Sequence, residues 1–459
     1  MKPFQPQHLT LAMNVRYFRG LPETVFFMVL VFLGGTVFVQ AQQPIPGEEK
    51  AGLQRTQAEW DALIQRVEQL ETAQKKDKEK SKSKPSVKLG GRIQMDTGSF
   101  DQNDVSKFMM GDWGNGSEIR RARLNASGSF MEQVNYKAEV DFAGNAVSLK
   151  DTYIEVVKLP FISGVKAGYY KESYSLDCLT SSNYGWFIER STPNNAITQH
   201  VGERSLGVSI GNWSEKDNYL WNLGGYEAKG VKTSDDRDGC DFVARFAFLP
   251  WENPSDGSFL HLGASYVYKN RNESTALKYD AKPEYGLAKT SISSGNIADV
   301  SAINAVGLEL IYAWGSLAIQ SELYYEFLND AHSSTVSGGY VQAGYWLTGE
   351  YYNYAKGYGT LSRNTVCAPF FRYCKDSALA RGPGAWQLTY RFSWLDLSDF
   401  NYAMAGKIYD HTFGVNWHLN DHTRVMLNYI LSNSEYSFGD AAGKTGLISV
   451  CAASFQIHF

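Results

Sequence analysis

Hydrophobic and polar residues alternate one by one along the second, larger part of the chain, from residue 87 to residue 459. In the clearest run, apolar residues alternate with polar ones: Trp386, Leu388, Tyr390, Phe392 and Trp394 against Gln387, Thr389, Arg391 and Ser393. Successive side chains of a β-strand point to opposite faces, so a period of two predicts strands. The runs are about ten residues long, the length of strands that cross an outer membrane.

The connections between these runs are of two kinds. Gly315-Ser316 makes a tight hairpin, whereas residues 270–300 and 351–381 are long and polar. Aromatic residues cluster near the ends of the runs, and the row opposite the apolar row is rich in charges and amides. These features are typical of an outer-membrane barrel, with apolar residues facing lipid, polar residues facing the lumen, aromatic girdles, short periplasmic turns and long external loops.

A secreted β-sandwich is the alternative, because its strands also alternate. Sandwich strands are usually only five or six residues long, and their solvent-facing row rarely carries aromatic residues in sequence. The pattern therefore predicts an all-β protein with a transmembrane antiparallel barrel over residues 85–459. About 373 residues at roughly 23 per strand and connection give about 16 strands, enough to enclose an aqueous channel.

The N-terminal residues follow another pattern. Basic residues precede an uncharged run over residues 25–39, which ends in the small-residue sequence Val39-Gln40-Ala41. This order is that of a secretory signal peptide, and we predict one over residues 1–41. A single membrane anchor is the alternative, but the run is shorter than the ~20 residues that a spanning helix needs.

Residues 42–84 form a third region, for which we predict a helix over residues 51–76. Apolar residues repeat there at a spacing of three and four, as along one seam of a coiled coil: Trp60, Leu63, Val67 and Leu70. A charged run over residues 75–84 is typical of a solvated linker. We predict a periplasmic coiled-coil segment that would suit a trimer, with an amphipathic helix lying on the barrel as the alternative.

Composition excludes several classes of protein. Aromatic residues make up 14% of the chain and the mean hydropathy is −0.33, which excludes a bundle of membrane helices and a disordered chain. The net charge of −4 gives no sign of nucleic-acid binding. Five cysteines are too few for a disulfide scaffold, and pairing of Cys367 with Cys374 stays open.

The sequence contains no catalytic motif. Gly-x-Ser-x-Gly, His-Glu-x-x-His and the phosphate-binding glycine-rich loop are all absent. Glu139 and Asp141 lie two residues apart on one predicted strand, where lumen charges are expected more often than an acid–base pair. We predict no enzymatic activity, no metal site and no cofactor.

Six segments resemble the phosphate-selective porin O and P family, in the order in which the family has them: residues 89–94, 119–124, 171–190, 347–350, 384–392 and 412–417. The resemblance covers residues 87–459. It implies a trimeric, 16-stranded outer-membrane channel that passes small anions. It also implies that Arg92, Arg120 and Arg121 stand where the family has a ladder of arginines.

The chain departs from the family pattern at the expected central lysines and in an arginine-rich loop. Other residues stand there: Asn135 with Lys137 two residues further on, Asp177-Cys178, and Asp280, Lys282 and Pro283. The lumen-facing rows nevertheless carry more basic than acidic residues. We therefore predict only a modest anion preference, with these pore-lining and anion-binding residues: Arg92, Arg120, Arg121, Arg123, Lys137, Lys282 and Arg391.

The predicted function is passive diffusion of small hydrophilic solutes, with some preference for anions such as phosphate. The partners are outer-membrane lipid of a Gram-negative-type envelope and two further copies in a homotrimer. One alternative is a general or sugar-type porin, which a tyrosine inside the lumen, such as Tyr324, would favour. Another is a structural envelope protein, in which residues 43–84 link the barrel to the cell wall.

Overall fold

The computed structural model describes residues 65–66, 68–69, 85–202, 204–227, 239–271, 276–370, 372–373, 379–380 and 382–459. Residues 65–66 and 68–69 are helical, inside the predicted helix. The predicted signal peptide, the rest of the predicted coiled-coil segment and Cys374 lie outside the described residues. None of the described helices is long and apolar enough to cross a membrane.

In the part of the chain that the structure describes, sixteen antiparallel strands form a closed barrel, in which each strand pairs with its neighbours in sequence and β1 pairs with β16. This confirms the predicted barrel. The strands are β1 (Lys88–Gln102), β2 (Gly116–Phe130), β3 (Val134–Asp141), β4 (Ser148–Val157), β5 (Gly164–Lys171), β6 (Arg204–Asn212), β7 (Tyr219–Glu227), β8 (Cys240–Asn253), β9 (Ser258–Asn270), β10 (Ala302–Trp314), β11 (Leu317–Asn329), β12 (Thr335–Trp346), β13 (Ala385–Asp396), β14 (Gly406–Asn420), β15 (Thr423–Tyr436) and β16 (Thr445–His458).

The connections carry short elements of their own. The helices are α1 (Asp104–Met110), α2 (Leu176–Leu179) and α3 (Thr192–Ile197), with single 3-10 turns at Ala143–Asn145 and Gly439–Ala441. Three two-residue ladders lie outside the barrel sheet: Asp280–Ala281 with Ile292–Ser293, Tyr354–Ala355 with Thr360–Leu361, and Arg372–Tyr373 with Leu379–Ala380.

The predicted alternation of outward and inward side chains is confirmed in β13. Leu388 and Tyr390 expose 44% and 37% of their surface on the outer face, whereas Gln387 and Arg391 expose 2% each on the inner face. Aromatic pairs occur on the outer face near both ends of the strands. Trp386 stacks on Trp417 at one end, with ring centroids 5.2 Å apart, as expected for an aromatic girdle.

We call the end of the barrel that holds the start of β1 and the end of β16 the terminal end, and the opposite end the loop end. The tight turns 315–316 and 421–422 lie at the terminal end, as short periplasmic turns do in porins. The connection 347–384 also lies there, because β12 runs toward the same end as β16. Residues 270–300 and 351–381, both expected among the long external loops, therefore lie at opposite ends of the barrel.

The barrel wall is uneven in height. Strands β3 to β7 have only 8 to 10 residues each, whereas all the others have 12 to 15. The outer face of the short strands is mainly aliphatic, with exposed Ile154, Leu206, Val208 and Ile210. This sector therefore differs from the aromatic-rich wall formed by the longer strands.

Three connections have described residues inside the barrel: loop 172–203 and loop 271–301 from the loop end, and insert 347–384 from the terminal end. They supply fully buried apolar side chains such as Leu176, Ile292 and Tyr352, which pack on lumen-facing residues of β8 to β15. The hydrophobic core of the protein thus lies inside the barrel. It fills one side of the lumen and leaves the side along β1 to β8 open.

Candidate functional site: a basic channel along one wall

Glu322 on β11 holds loop 172–203 in place. Its carboxylate accepts hydrogen bonds from the backbone N–H groups of Leu176 (2.7 Å) and Asp177 (2.8 Å) at the start of α2, and Tyr340 donates to it (2.7 Å). The first N–H groups of a helix lack partners within the helix, and a carboxylate satisfies them well. The loop is therefore fixed to the β11–β12 wall.

Glu284 plays the same part in loop 271–301. Arg391 donates to it from Nε (2.8 Å) and Nη2 (2.5 Å), and Ser393 and Thr412 donate their hydroxyls (2.7 and 2.6 Å). The Arg391 guanidinium also lies 4.3 Å from the centre of the Phe187 ring. Arg391 therefore ties both loops to β13, and removing either partner of this buried ion pair would leave the other charge buried and uncompensated.

Arg245 on β8 fixes the tip of insert 347–384. It forms an ion pair with Glu309 (2.7 Å), and its two terminal nitrogens each donate to one backbone carbonyl, that of Tyr358 and that of Gly359 (2.9 Å both). Both charged side chains are buried. The guanidinium thus joins the barrel wall to the backbone of the insert.

Two glycines let the tip lie this close to the wall. A Cβ on Gly357 would come within 2.7 Å of Glu215 Oε1, which accepts the Gly357 N–H (2.9 Å). Gly359 has φ +61°, and a Cβ there would meet Leu220 at 2.3 Å. Glycine alone adopts this conformation without strain and leaves the space free. Glycine at positions 357 and 359 is therefore required by the packing of the tip.

A cavity of about 700 Å³ remains open between these segments and the β1–β8 wall. Of the described residues, nine basic and four acidic side chains line it. The basic ones are Arg92, Arg121, Arg123, Lys137, Lys166, Lys171, Arg190, Arg204 and Arg245, and the acidic ones are Glu139, Asp151, Glu155 and Glu215. The open part of the lumen is therefore a positively charged path along one wall.

A β-bulge in β2 turns two consecutive arginines into the lumen. Gln94 on β1 pairs with Arg121, but Met95 pairs with Ile119, so that Arg120 is the extra residue. Such a bulge re-aims side chains that strict alternation would place on opposite faces. Both Arg120 and Arg121 reach the carboxylate of Glu189 in loop 172–203, at 2.5 and 3.7 Å.

The environment of Glu189 fixes its charge. Burial disfavours the carboxylate, but the attraction of Arg120 and Arg121 outweighs burial and holds the pKa of Glu189 well below its usual range. Glu189 is therefore negative at neutral pH. It cancels part of the positive charge that the two arginines bring to the lumen.

Carboxylates also lie between the remaining basic residues of the wall and form ion pairs with them. Glu139 lies 3.1 Å from Arg123 and 3.4 Å from both Arg92 and Lys137. Further along the wall, Asp151 pairs with Lys137 (3.0 Å) and with Arg204 (2.7 Å). The wall is thus a continuous network of alternating charges with an excess of cations.

Arg190 in loop 172–203 and Lys171 at the end of β5 both donate hydrogen bonds to backbone carbonyl groups. Arg190 donates to the backbone oxygens of Asp177 (2.8 Å), Cys178 (3.1 Å) and Thr180 (3.2 Å), and Lys171 donates to the oxygen of Cys178. Neutral carbonyls thus orient both side chains. The Lys171 nitrogen lies at the point where the resemblance leads one to expect a lysine and the chain has Cys178.

Hydroxyl groups complete this part of the cavity. Arg92 Nη1 lies 3.3 Å from Ser181 Oγ and 3.0 Å from Ser182 Oγ, and both serines line the cavity beside Arg190. Guanidinium, ammonium and hydroxyl donors around one open space are the groups that bind oxyanions in proteins.

Residues 87–457 match the sequence model of the family described as phosphate-selective porin O and P. The chain belongs to this porin family. It is therefore an outer-membrane channel. It is also 24% identical over 387 residues to porin O of Pseudomonas aeruginosa, covering 76% of this chain and 83% of that protein. An uncharacterised protein of Caulobacter vibrioides is 29% identical over 362 residues, covering 75% of this chain and 68% of that protein.

Solved porin structures superimpose on this porin at low sequence identity. The anion-selective porin from Comamonas acidovorans has a TM-score of 0.49 at 12% identity, covering 82% of this chain and 100% of that one. The outer-membrane channel DcaP of Acinetobacter baumannii has a TM-score of 0.48 at 11% identity, covering 82% and 97%.

Four of the seven site residues predicted from the sequence line the cavity of this porin: Arg92, Arg121, Arg123 and Lys137. They lie on three adjacent strands, β1 to β3. The other three lie outside the cavity lining. Arg120 pairs with Glu189, Arg391 pairs with Glu284, and Lys282 donates to the Gly286 oxygen (2.7 Å) in its own loop, where burial lowers the pKa of Lys282.

Sequence reasoning missed other residues of the porin's cavity. Lys166, Lys171, Arg190 and Arg204 line it but were not among the predicted site residues. Lys171 and Arg190 are the first and last residues of segment 171–190, one of the six that resemble the family. Their position in that segment is the signal from which they could have been predicted. Tyr324, the lumen tyrosine that would favour a sugar-type porin, is instead buried under loop 172–203 at 2% exposure.

Proposed function

We propose that this porin lets small anions diffuse passively across the outer membrane in preference to cations. The observation that carries the proposal is the ratio of nine basic to four acidic side chains among the described residues around the open cavity. A cleft lined with an excess of one charge and walled by low-dielectric protein raises the local concentration of the opposite ion. Selectivity in a pore is decided by such groups at its narrow part.

The contacts that we assign to a passing oxyanion are Arg92, Lys171, Arg190 and the hydroxyls of Ser181 and Ser182. Phosphate suits this set, because a guanidinium can bind two of its oxygens side by side and the hydroxyls can donate to others. The four carboxylates of the wall limit the net field. We therefore propose a modest phosphate preference.

The uneven wall supports assembly into a trimer. At ~3.3 Å per residue and a tilt of about 40°, a strand of eight residues rises only ~20 Å, less than the ~25 Å apolar band of a membrane barrel. A partner protein covers such a wall better than lipid does. We propose that β3 to β7 face the other copies, and that residues 42–84, which precede β1 at the terminal end, lie in the periplasm.

The proposal is tested by the reversal potential of the purified protein in a planar bilayer with a KCl gradient. The current through the wild-type protein should reverse at a potential on the chloride side of zero. The reversal potential of the double variant Lys171→Gln/Arg190→Gln should shift toward the potassium side. Lys407→Gln removes an exposed lysine paired with Asp396 at the loop end and should leave the potential unchanged. A wild-type potential on the potassium side would contradict the proposal.

A further inference from the structure

The cavity has an aromatic sector near the terminal end, formed by Tyr153, Tyr170, Trp213 and Tyr358. Their ring centroids lie 4.7, 5.6, 5.6 and 6.0 Å from Lys166 Nζ. All four rings and the lysine line the cavity. A cation over several ring faces is held by the negative charge of those faces, and this fixes the positions of the rings as well.

Tyr358 is the most exposed ring of the aromatic sector. It exposes 61% of its surface at the tip of insert 347–384. Its backbone is fixed, since Arg245 binds the carbonyl oxygens of Tyr358 and Gly359. A large apolar surface is thus held in the open lumen on a backbone that is anchored to the wall. Preorganised, exposed aromatic surface of this kind is typical of a binding site.

Basic and acidic side chains both lie around the aromatic sector, and Arg204 there keeps its ion pair with Asp151 (2.7 Å). Lys166 pairs with Glu155 at 3.1 Å, and Lys171 and Arg204, which face each other across β5 and β6, line the same cavity. The cavity volume of about 700 Å³ lies within the range of ~300–1,000 Å³ that is usual for sites that bind small organic molecules. It is far more space than one inorganic phosphate fills.

We propose that the cavity binds organic anions that carry a ring, namely an aromatic or sugar ring with one phosphate or carboxylate group. The ring lies against Tyr358 and Trp213, and the anionic group lies at Lys171 and Arg204. This deepens the proposed function and rests on it, because it adds a ring-binding region to an anion-selective channel.

The test compares two anions in planar bilayers that contain the full-length mature protein. Inorganic phosphate and phenyl phosphate are added at the same pH, and the concentration that halves the chloride current is measured for each. We expect phenyl phosphate to act at a concentration about three- to tenfold lower, the usual contribution of one aromatic contact. Tyr358→Ala should remove this difference and leave the value for inorganic phosphate unchanged.

Tyr351→Ala is the matched control, because Tyr351 is half exposed in the same insert but outside the cavity lining. Equal values for the two anions in wild-type protein, a comparison that needs no variant, would overturn the ring-binding region and leave the anion preference standing. A channel that is cation-selective and blocked by neither anion would overturn the proposed function itself. Block by glucose at the same concentration as phenyl phosphate would show that the site takes neutral sugars and would also overturn this inference.

Discussion

Arg120 and Glu189 form an ion pair of 2.5 Å between the barrel wall and the loop that enters the lumen. Arg121 approaches the same carboxylate at 3.7 Å. One carboxylate thus serves two guanidinium groups, and a net positive charge remains between them. Arg121 also donates to Gln94 Oε1 at 2.8 Å, and it faces the cavity. Loop 172–203 therefore sets how much of this charge a passing ion meets.

Replacing Glu189 with glutamine should increase the anion preference. Glutamine keeps an oxygen acceptor for Arg120 and removes the negative charge that offsets both arginines. The reversal potential in a low-salt KCl gradient should therefore move further toward chloride. Asp112→Asn, at an exposed carboxylate in the external connection 103–115, is the control and should leave the potential unchanged. A shift of Glu189→Gln toward potassium would show that these arginines do not act on the permeating ion.

The selectivity of the wild-type channel should weaken as salt is added. The Debye length falls from ~10 Å at 0.1 M to ~3 Å at 1 M, so the wall charges act over a shorter distance. The reversal potential is measured under a fivefold KCl gradient, once near 0.1 M and once near 1 M. It should be closer to zero near 1 M. A preference that does not change with salt would indicate a size filter instead of the wall charges.

Removing the positive charge of Arg391 should destabilise the barrel. Arg391→Met leaves Glu284 buried without its cation, and breaking a buried pair in this way costs about 3–5 kcal/mol. The thermal transition, followed by circular dichroism in detergent, should fall by several degrees. The matched control is Lys407→Met, which breaks the exposed pair with Asp396, where a loss of only ~0–1 kcal/mol is expected. Equal effects of the two variants would mean that Arg391 does not anchor the loops.

Insert 347–384 should be inaccessible from outside the cell. In a background without the five native cysteines, a cysteine at Tyr351 lies at the terminal end and one at Asp440 in the external connection 437–444. A membrane-impermeant thiol reagent applied to intact cells should label position 440 and not position 351. Labelling at both positions after the outer membrane is permeabilised is the control. Labelling of position 351 in intact cells would reverse the orientation of the barrel.

Docking of loop 172–203 on loop 271–301 should weaken in acid. Burial lowers the pKa of His200 from 6.5 to about 4, and its Nε2 lies 2.8 Å from the Lys278 oxygen. Since the detached loop takes up a proton that the docked loop resists, the stability due to His200 is complete above pH 6.5 and falls as the pH drops toward 4. Protection of residues 190–202 from hydrogen exchange, taken relative to the intrinsic exchange rate at each pH, should therefore decrease between pH 6.5 and 4.5. His200→Gln should remove this part of the dependence.

Whether a strand side chain points outward or into the lumen could largely be predicted from the sequence. Which inward side chains are buried by loops could not. The period of two correctly placed Tyr390 on the outer face and Arg391 on the inner face, because alternation is a property of the strand itself. Burial of Arg391 and Tyr324 depends on loops that fold back over them from elsewhere in the chain. Nothing in the local pattern of β11 or β13 carries that information.

The sequence also failed where a strand departs from regular geometry. Strict alternation gives no reason for Arg120 and Arg121 to face the same way, since the bulge that allows it leaves no mark on the hydrophobic pattern. The side on which insert 347–384 lies follows from the number of strands before it. That number is set in part by β3 to β7, whose 8 to 10 residues give the weakest signal in the sequence.

The insert at the terminal end has a consequence for the order of folding. Lys356 binds Glu252 and Glu215, which lie 104 and 141 positions earlier in the chain. Contacts over such separations close long loops, and the entropy of closing them is lost before the contacts form. The hairpins of the wall can therefore assemble first, and the Gly-Tyr-Gly tip docks only after the sheet around it exists. A chain caught before that step has the wall without its tip, and the lumen is wider at the terminal end.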